Sequence, residues 1–166
     1  VQGFKFQRQL AAGRVLSHLI CDHVTQKELS LPDMLVPVPL HSRRLLSRGF
    51  NQAHELAAYT GSVLDIPLLT GGLRRQRNTR AQSGLSSKQR RKNVRGAFYW
   101  HGSGKPGRHV ALIDDVMTTG TTVTECARIL KKAGSKRVDV WVAARAMPVN
   151  QNQRARPNVH GHTTHR

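Results

Sequence analysis

The sequence predicts a single α/β domain in which a short parallel sheet carries helices on both faces. The main observation is a strand–turn–helix–strand succession over residues 109–142, because a helix that joins two strands places them parallel in one sheet. A second apolar strand near residue 35 and a length of 166 residues, which fits one domain, support the same fold class. We expect a small irregular hood, built partly from residues 71–100, beside that sheet.

The first half of the chain predicts two helices around a buried strand. Apolar residues recur at helical spacing before residue 25, although Gly13 weakens that helix. The prolines at 37 and 39 end the strand, since proline donates no hydrogen bond to a β-ladder. The elements predicted here are a helix over 7–24, a strand over 33–40, a basic turn over 41–49, a helix from its N-cap Asn51 through about Tyr59, and a short strand over 67–70.

The second half contains the clearest unit, in which an apolar strand and an amphipathic helix are separated by a polar turn. Gly134 stands where a helix commonly ends on a glycine. The predicted elements are a helix over 86–93, strands over 97–100 and 109–113, a polar turn over 114–122, a helix over 123–133 and a strand over 138–142. Composition then changes without periodicity, which predicts a domain over 1–147 and a flexible C-terminal tail over 148–166.

The charge is strongly positive and unevenly distributed. The chain has 27 Lys and Arg against 9 Asp and Glu, a net charge of +18, which favours polyanionic partners. No Asp or Glu occurs from Ile66 to Ile113, whereas eleven Lys and Arg do, nine of them between Arg74 and Arg95. Three interpretations of the 74–95 segment stay open: a solvated loop, a loop that covers a phosphate ligand, or a groove for nucleic acid.

Other features bear on location in the cell. No stretch is apolar enough to span a membrane, and no signal peptide is recognisable. Two cysteines fit a reducing compartment, so we expect a cytoplasmic protein. The chain does not begin with Met, which is typical of a fragment of a longer protein.

Two carboxylates and a Thr/Gly turn point to a sugar phosphate. Asp114 and Asp115 follow a buried strand, at the sheet edge where open α/β sheets bind ligands. Residues 116–122 then open a helix, whose N–H groups and dipole suit a phosphate. The Asp pair suits sugar hydroxyls or a hard cation such as Mg²⁺.

The alternative is an acid-ended strand with Thr121 as an ordinary N-cap, which needs no ligand. A cap accounts for one threonine and leaves Thr118, Thr119 and Thr122 unexplained. The loop lacks the Gly-Lys-Ser/Thr of a P-loop and there is no dinucleotide fingerprint, so ATP binding is disfavoured.

Residues 110–122, Val-Ala-Leu-Ile-Asp-Asp-Val-Met-Thr-Thr-Gly-Thr-Thr, resemble the phosphoribosyl pyrophosphate (PRPP) motif of type I phosphoribosyltransferases. More narrowly, four further segments resemble the ComF/GntX family, the ComFC type of competence protein. These segments are 36–41, 48–52, 77–86 and 91–98. The resemblance spans positions 36 to 145, about two thirds of the chain, and implies a phosphoribosyltransferase-like fold with a hood.

The resemblance also implies roles for individual residues. Asp114 and Asp115 would contact the ribose hydroxyls and the Mg²⁺ that accompanies PRPP. Arginine is expected around the phosphates because its guanidinium pairs with them bidentately. The 5′-phosphate would lie on Thr118, Thr119, Gly120, Thr121 and Thr122; the pyrophosphate loop would contain Pro39, Leu40, His41, Arg43, Arg44 and Arg48; the mobile loop of the hood would contain Arg74, Arg77, Arg80, Gln82, Arg91 and Arg95.

The function implied is that of a PRPP-binding phosphoribosyltransferase-like protein in natural transformation and DNA uptake, with Mg²⁺ as cofactor. Its acceptor and its catalytic residues are not implied. The alternative is a basic factor that handles single-stranded DNA, in which PRPP is regulatory or is not turned over. A DNA-uptake helicase or other competence proteins are expected partners. The family's Cys-rich N-terminal zinc module is absent from this sequence, so no zinc site is expected.

Overall fold

The computed structural model describes residues 2–77 and 87–146, which form five helices and five strands. Three strands make a parallel sheet, and two make a small antiparallel one. In chain order the elements are α1 (Gln2–Gln26), β1 (Met34–Pro37), α2 (Ser42–Arg48), α3 (Gln52–Leu64), β2 (Leu73–Arg75), α4 (Ser87–Val94), β3 (Phe98–Trp100), β4 (His109–Met117), α5 (Thr121–Lys132) and β5 (Arg137–Arg145).

The parallel sheet has the order β1-β4-β5, with β4 in the centre. Helix α5 connects β4 to β5, which confirms the predicted βαβ unit. Beside β1 the predicted strand over 67–70 is reduced to one parallel bridge, between Leu35 and Leu68. Two hydrogen bonds flank that bridge: Leu35 N–H donates to Pro67 O (2.8 Å), and Leu69 N–H donates to Leu35 O (2.8 Å).

Alternate residues of β1 and β4 pack into separate layers, as the pleat of a strand requires. On one face Leu35, Ala111 and Ile113 pack with side chains of α1 and α3. On the other face Val36 and Leu112 pack with α5, α4 and the small sheet. Helices therefore cover both faces, and the α/β prediction is confirmed.

The small sheet lies over the second of these layers. Strands β2 and β3 pair antiparallel, with Arg75 opposite Phe98, and Leu73 and Phe98 are buried in the core. Helix α4 joins the same layer through Val94, which is 1% exposed. Strand β2 was not predicted. It has only three residues, two of which are arginines, so the sequence shows no apolar run there.

Several predicted boundaries are wrong, and three of them bear on the site. The basic turn 41–49 contains helix α2, which buries no residue and so shows no apolar periodicity in the sequence; the His41 side chain caps it, and Gly49 ends it at φ 81°. Strand β4 continues through Asp114 and Asp115 to Met117, because β5 extends beside it as far as Arg145. Helix α5 accordingly begins at Thr121. In the part of the chain that the structure describes, no helix combines the length and apolarity needed to cross a membrane.

Candidate functional site

The two acidic residues lie on the part of the central strand β4 that extends beyond the end of its neighbour β1. The last β1–β4 pair is Pro37 with Ile113, and Val38 N–H donates to Ile113 O (2.9 Å) as β1 leaves the sheet. Asp114 and Asp115 follow at once on β4 and lie at the C-terminal edge of the sheet. This edge is where ligands bind in open α/β folds.

The Asp pair has unequal surroundings. Asp114 is half-buried, and its Oδ1 accepts from the Asp115 N–H at 3.0 Å; Asp115 Oδ1 accepts from the exposed Val116 at 2.8 Å. Burial, followed by the negative charge of Asp115, raises the pKa of the Asp114 carboxyl to about 7, while the charge of Arg75 opposes this rise. A carboxyl that lies in a cleft and whose pKa is raised this far is typical of a functional site.

The Thr/Gly turn ends in a helix N-terminus that presents its backbone to the cleft. Gly120 is the N-cap, at φ 71°, a left-handed conformation that glycine adopts without strain. No side chain within the described ranges caps α5, so Thr121 is not the ordinary N-cap of the ligand-free alternative. The first-turn N–H groups are therefore placed to bind an anion. Thr119 and Thr121 hydroxyls lie 2.8 Å apart.

A cleft of about 300 Å³ joins the acidic pair, the Thr/Gly turn and the end of β1. Its volume is at the lower end of the range for small-molecule sites. Ten of the predicted site residues line it: Pro39, Leu40, Arg44, Arg48, Asp114, Asp115, Thr118, Gly120, Thr121 and Thr122. The structure thus brings together the acidic pair, most of the phosphate turn and most of the segment after β1.

The remaining predicted residues within the described ranges do not line this cleft. His41 accepts from Arg43 N–H (3.2 Å) as the cap of α2, and Arg43 is exposed. Thr119 contacts Thr121. In the hood, Arg74 donates to Gly71 O (3.1 Å) and Arg77 to Arg95 O (3.1 Å), while the side chains of Arg91 and Arg95 are exposed; Arg80 and Gln82 lie outside the described residues.

Arg75 is a cleft residue that the sequence prediction missed. Its guanidinium stacks on the Phe98 ring, 5.2 Å from the ring centroid, and its side chain lines the cleft with Asp114. Burial, followed by the charge of Arg44, lowers the pKa of Arg75 from its ordinary value. The inward position of Arg75 follows only once β2 is known, because Leu73 is buried and Arg75 lies on the same face of the strand.

Asn51 and Gln52 also line the cleft and were not predicted as site residues. Asn51 was predicted as an N-cap, and it is one: its Oδ1 accepts from Ala53 N–H at 3.2 Å. Its Nδ2 also donates to Val38 O (3.1 Å), which ties the start of α3 to the segment after β1. Gln52 Oε1 accepts from Arg48 Nη1 (3.3 Å) and orients that arginine.

Metal binding at this edge would need oxygen atoms from a ligand. Among residues 2–77 and 87–146, no three His, Cys, Asp or Glu side chains converge to form a metal cage. The two carboxylates alone match the way Mg²⁺ is commonly held, by one or two carboxylates together with water and the phosphates of a substrate.

Comparison with known proteins gives consistent matches. A family model described as Phosphoribosyl transferase domain matches residues 31–161. The chain is similar to "Competence protein F" of Haemophilus influenzae, with 41% identity over 152 residues, 88% of this chain and 66% of that protein. It is also similar to "DNA utilization protein YhgH" of Escherichia coli K12, with 35% identity over 151 residues, 89% of this chain and 66% of that protein.

This chain therefore spans 66% of the length of both relatives. Among solved structures it is similar to a glutamine phosphoribosylpyrophosphate amidotransferase from B. subtilis, with a TM-score of 0.54 and 21% identity. That match covers 81% of this chain and 26% of the other, and at this identity it supports the fold alone.

Proposed function

Because this chain belongs to the ComF family, within the type I phosphoribosyltransferase superfamily, we propose that it binds Mg²⁺·PRPP and transfers the phosphoribosyl group to an acceptor. One observation carries the proposal: a single cleft unites a carboxylate pair, an uncapped helix N-terminus and three arginines. PRPP has the matching parts, namely ribose hydroxyls, a 5′-phosphate and a pyrophosphate.

Each part of the ligand has a complementary region in the cleft. Asp114 and Asp115 would accept hydrogen bonds from the ribose hydroxyls and would hold the Mg²⁺ bound to PRPP. The first-turn N–H groups of α5 and the threonine hydroxyls would donate to the 5′-phosphate. Arg44, Arg48 and Arg75 would neutralise the pyrophosphate, for which planar guanidinium groups are suited.

The reaction would be a displacement at the anomeric carbon of the ribose. The bond from this carbon to the pyrophosphate oxygen breaks, its electron pair leaves with pyrophosphate, and the acceptor forms the new bond. Bound Mg²⁺ would supply charge neutralisation on the leaving group. The protein's contribution is positioning of the ribose and electrostatic stabilisation of the departing pyrophosphate, without a covalent intermediate on the enzyme.

Titration calorimetry with Mg²⁺ and PRPP tests the proposal. The wild-type chain should bind, and Asp114→Asn and Asp115→Asn should each weaken binding by about tenfold or more, because a hydrogen bond to a charged group contributes about 1.5–3 kcal/mol. Asp22→Asn, an exposed carboxylate on α1, is the matched control and should bind as the wild type does. Absence of wild-type binding would contradict the proposal.

Turnover requires a separate measurement. Release of pyrophosphate in the presence of candidate acceptors would support a transferase. Tight PRPP binding with no release for any acceptor would instead identify a PRPP-sensing regulator and would contradict the transfer step alone.

A second candidate function is the handling of single-stranded DNA during DNA uptake or use, with PRPP regulatory or not turned over. It is favoured by helix α4, which carries exposed cationic side chains and no acidic residue: Lys88, Arg91 and Lys92. The names of the relatives, which refer to competence and to DNA utilization, point in the same direction. The cleft and the exposed face of α4 are distinct surfaces, so both functions are compatible with one protein.

A further inference from the structure

One arginine of the hood contacts the Thr/Gly turn directly. Arg90, on α4, donates from Nη1 to the Thr118 hydroxyl oxygen at 3.0 Å. This hydrogen bond joins α4 to the turn, and Arg90 was not among the residues predicted for the hood. It therefore marks a place where the basic segment meets the region expected to hold the 5′-phosphate.

The fold fixes the direction in which Arg90 points. Val94 lies four residues later on α4, so the two side chains share one helix face. Val94 is 1% exposed, which means that this face turns inward. Just beyond the helix, Gly96 N–H donates to Glu125 Oε1 (2.9 Å) and attaches the end of α4 to α5. Arg90 is half-buried accordingly, whereas its neighbour Arg91 is exposed.

We infer that Arg90 is an additional phosphate-binding residue of the Thr118–Thr122 turn. The inference rests on the proposed function, since it assigns Arg90 to the 5′-phosphate of the same ligand. A guanidinium has five N–H donors in a fixed plane, and a phosphate monoester accepts from them more strongly than a neutral hydroxyl does. With phosphate in the turn, Arg90 would donate to it and would connect α4 to the bound ligand.

Binding of two probes to matched variants tests this assignment. Ribose 5-phosphate carries the 5′-phosphate, and inorganic pyrophosphate lacks it. Arg90→Gln should weaken binding of PRPP and of ribose 5-phosphate about tenfold or more, and should leave pyrophosphate binding within about twofold. Arg14→Gln removes the same charge from an exposed position on α1, and it should change binding of each probe less than about twofold.

Folding of both variants is checked by their thermal melts, and Arg90→Lys adds a conservative variant. Lysine keeps the charge but not the planar pair of donors, so we expect Arg90→Lys to bind ribose 5-phosphate with an affinity between those of wild type and Arg90→Gln.

The outcomes distinguish a failure of the proposed function from a failure of the Arg90 assignment. Wild-type protein that binds no PRPP would overturn the proposed function together with this inference. Wild-type binding with equal effects of Arg90→Gln and Arg14→Gln would overturn the inference alone. The inference would also be overturned if Arg90→Gln weakened pyrophosphate binding as much as ribose 5-phosphate binding. Arg90 would then attract any anion by its positive charge and would not contact the 5′-phosphate specifically.

Discussion

Asp114 is a residue whose ionised form opposes folding. Its carboxyl is half-buried and lies beside Asp115, so the folded protein disfavours its negative charge and raises its pKa from 3.8 to about 7. The protonated carboxyl is therefore favoured in the folded state. This favourable contribution is fully present below pH 4 and is lost as pH rises through about 7. A residue whose charged form destabilises the folded protein is typically one that is needed for function, here for ligand binding.

Asp114→Asn should accordingly stabilise the protein while impairing its site. We expect a higher melting temperature than wild type at pH 8, by about 2–4 °C for every kcal/mol of repulsion that the amide removes, and a smaller gain at pH 5. Thermal denaturation at both pH values measures this difference, with Asp22→Asn as the exposed control. A variant no more stable than wild type at pH 8 would contradict the expectation.

Arg75 should tune the pH range in which the cleft binds its ligand. The ionised form of Asp114 is the one that accepts hydroxyl groups or a cation, so wild-type binding of Mg²⁺·PRPP should weaken as pH falls through about 7. The charge of Arg75 lowers the pKa of Asp114, so Arg75→Gln should move the binding midpoint to higher pH. Calorimetry across pH 5.5–9 gives the midpoint.

Arg74→Gln is the control for this shift, because Arg74 precedes Arg75 on β2 but is exposed and does not line the cleft. Its midpoint should match the wild type. An unchanged midpoint in Arg75→Gln would show that Arg75 does not act on Asp114. Sequence alone predicted Arg74 and missed Arg75, since only the strand period distinguishes the two.

At the scale of elements, prediction succeeded where an element contributes its own apolar pattern. Strand β4 is a run of buried residues and α5 has an apolar face, so both are visible in the sequence. Helix α2 buries no residue, and β2 is defined by its pairing with β3, so neither leaves a periodic signal. The acidic pair was located from its position after a strand, whereas Asn51 and Arg90 reach the site only through tertiary contacts.

Two glycines in helices show how packing decides the effect of one substitution. A Cβ on Gly61 of α3 would lie 2.7 Å from the backbone oxygen of Ile66, whereas a Cβ on Gly13 of α1 meets nothing within 4 Å. Gly61→Ala should therefore lower the free energy of unfolding by about 1–3 kcal/mol, and Gly13→Ala should raise it by about 0.5–1 kcal/mol.

Urea denaturation of the wild type and the two variants measures both changes. Because the same methyl group is added in each case, helix propensity alone would predict stabilisation at both positions. Stabilisation by Gly61→Ala would show that the end of α3 and Ile66 can move apart.

At the scale of the whole molecule, much of the net charge of +18 comes from one segment, residues 66–113, which contains no acidic residue. In the described residues this acid-free segment includes β2, α4 and β3 of the hood, from which Arg75 lines the cleft at the C-terminal edge of the sheet, and it ends within β4. Some of its cations face inward, as Arg75 and Arg90 do, and others lie exposed on α4. A small phosphorylated ligand would therefore bind the inward-facing arginines of this segment, and a polyanionic chain would bind the exposed cations of α4.

If α4 binds single-stranded DNA, its exposed cations should govern the salt dependence of that binding. Each phosphate contact contributes about 0.7 to the slope of log affinity against log salt concentration, so Lys88→Gln/Arg91→Gln/Lys92→Gln should reduce the slope by about 2. The control Lys131→Gln/Lys132→Gln/Lys136→Gln removes equal charge from exposed residues near the end of α5.

That end of α5 leads into the start of β5, at the edge of the sheet opposite the cleft, so the control should leave the slope almost unchanged. Fluorescence anisotropy of a labelled oligonucleotide between about 50 and 200 mM salt measures both variants. Equal reductions in the two triple variants would mean that DNA responds to total charge alone, and the assignment of the DNA surface to α4 would fail. A reduction confined to the α4 variant would place the DNA on the outer face of the helix whose inner face carries Arg90.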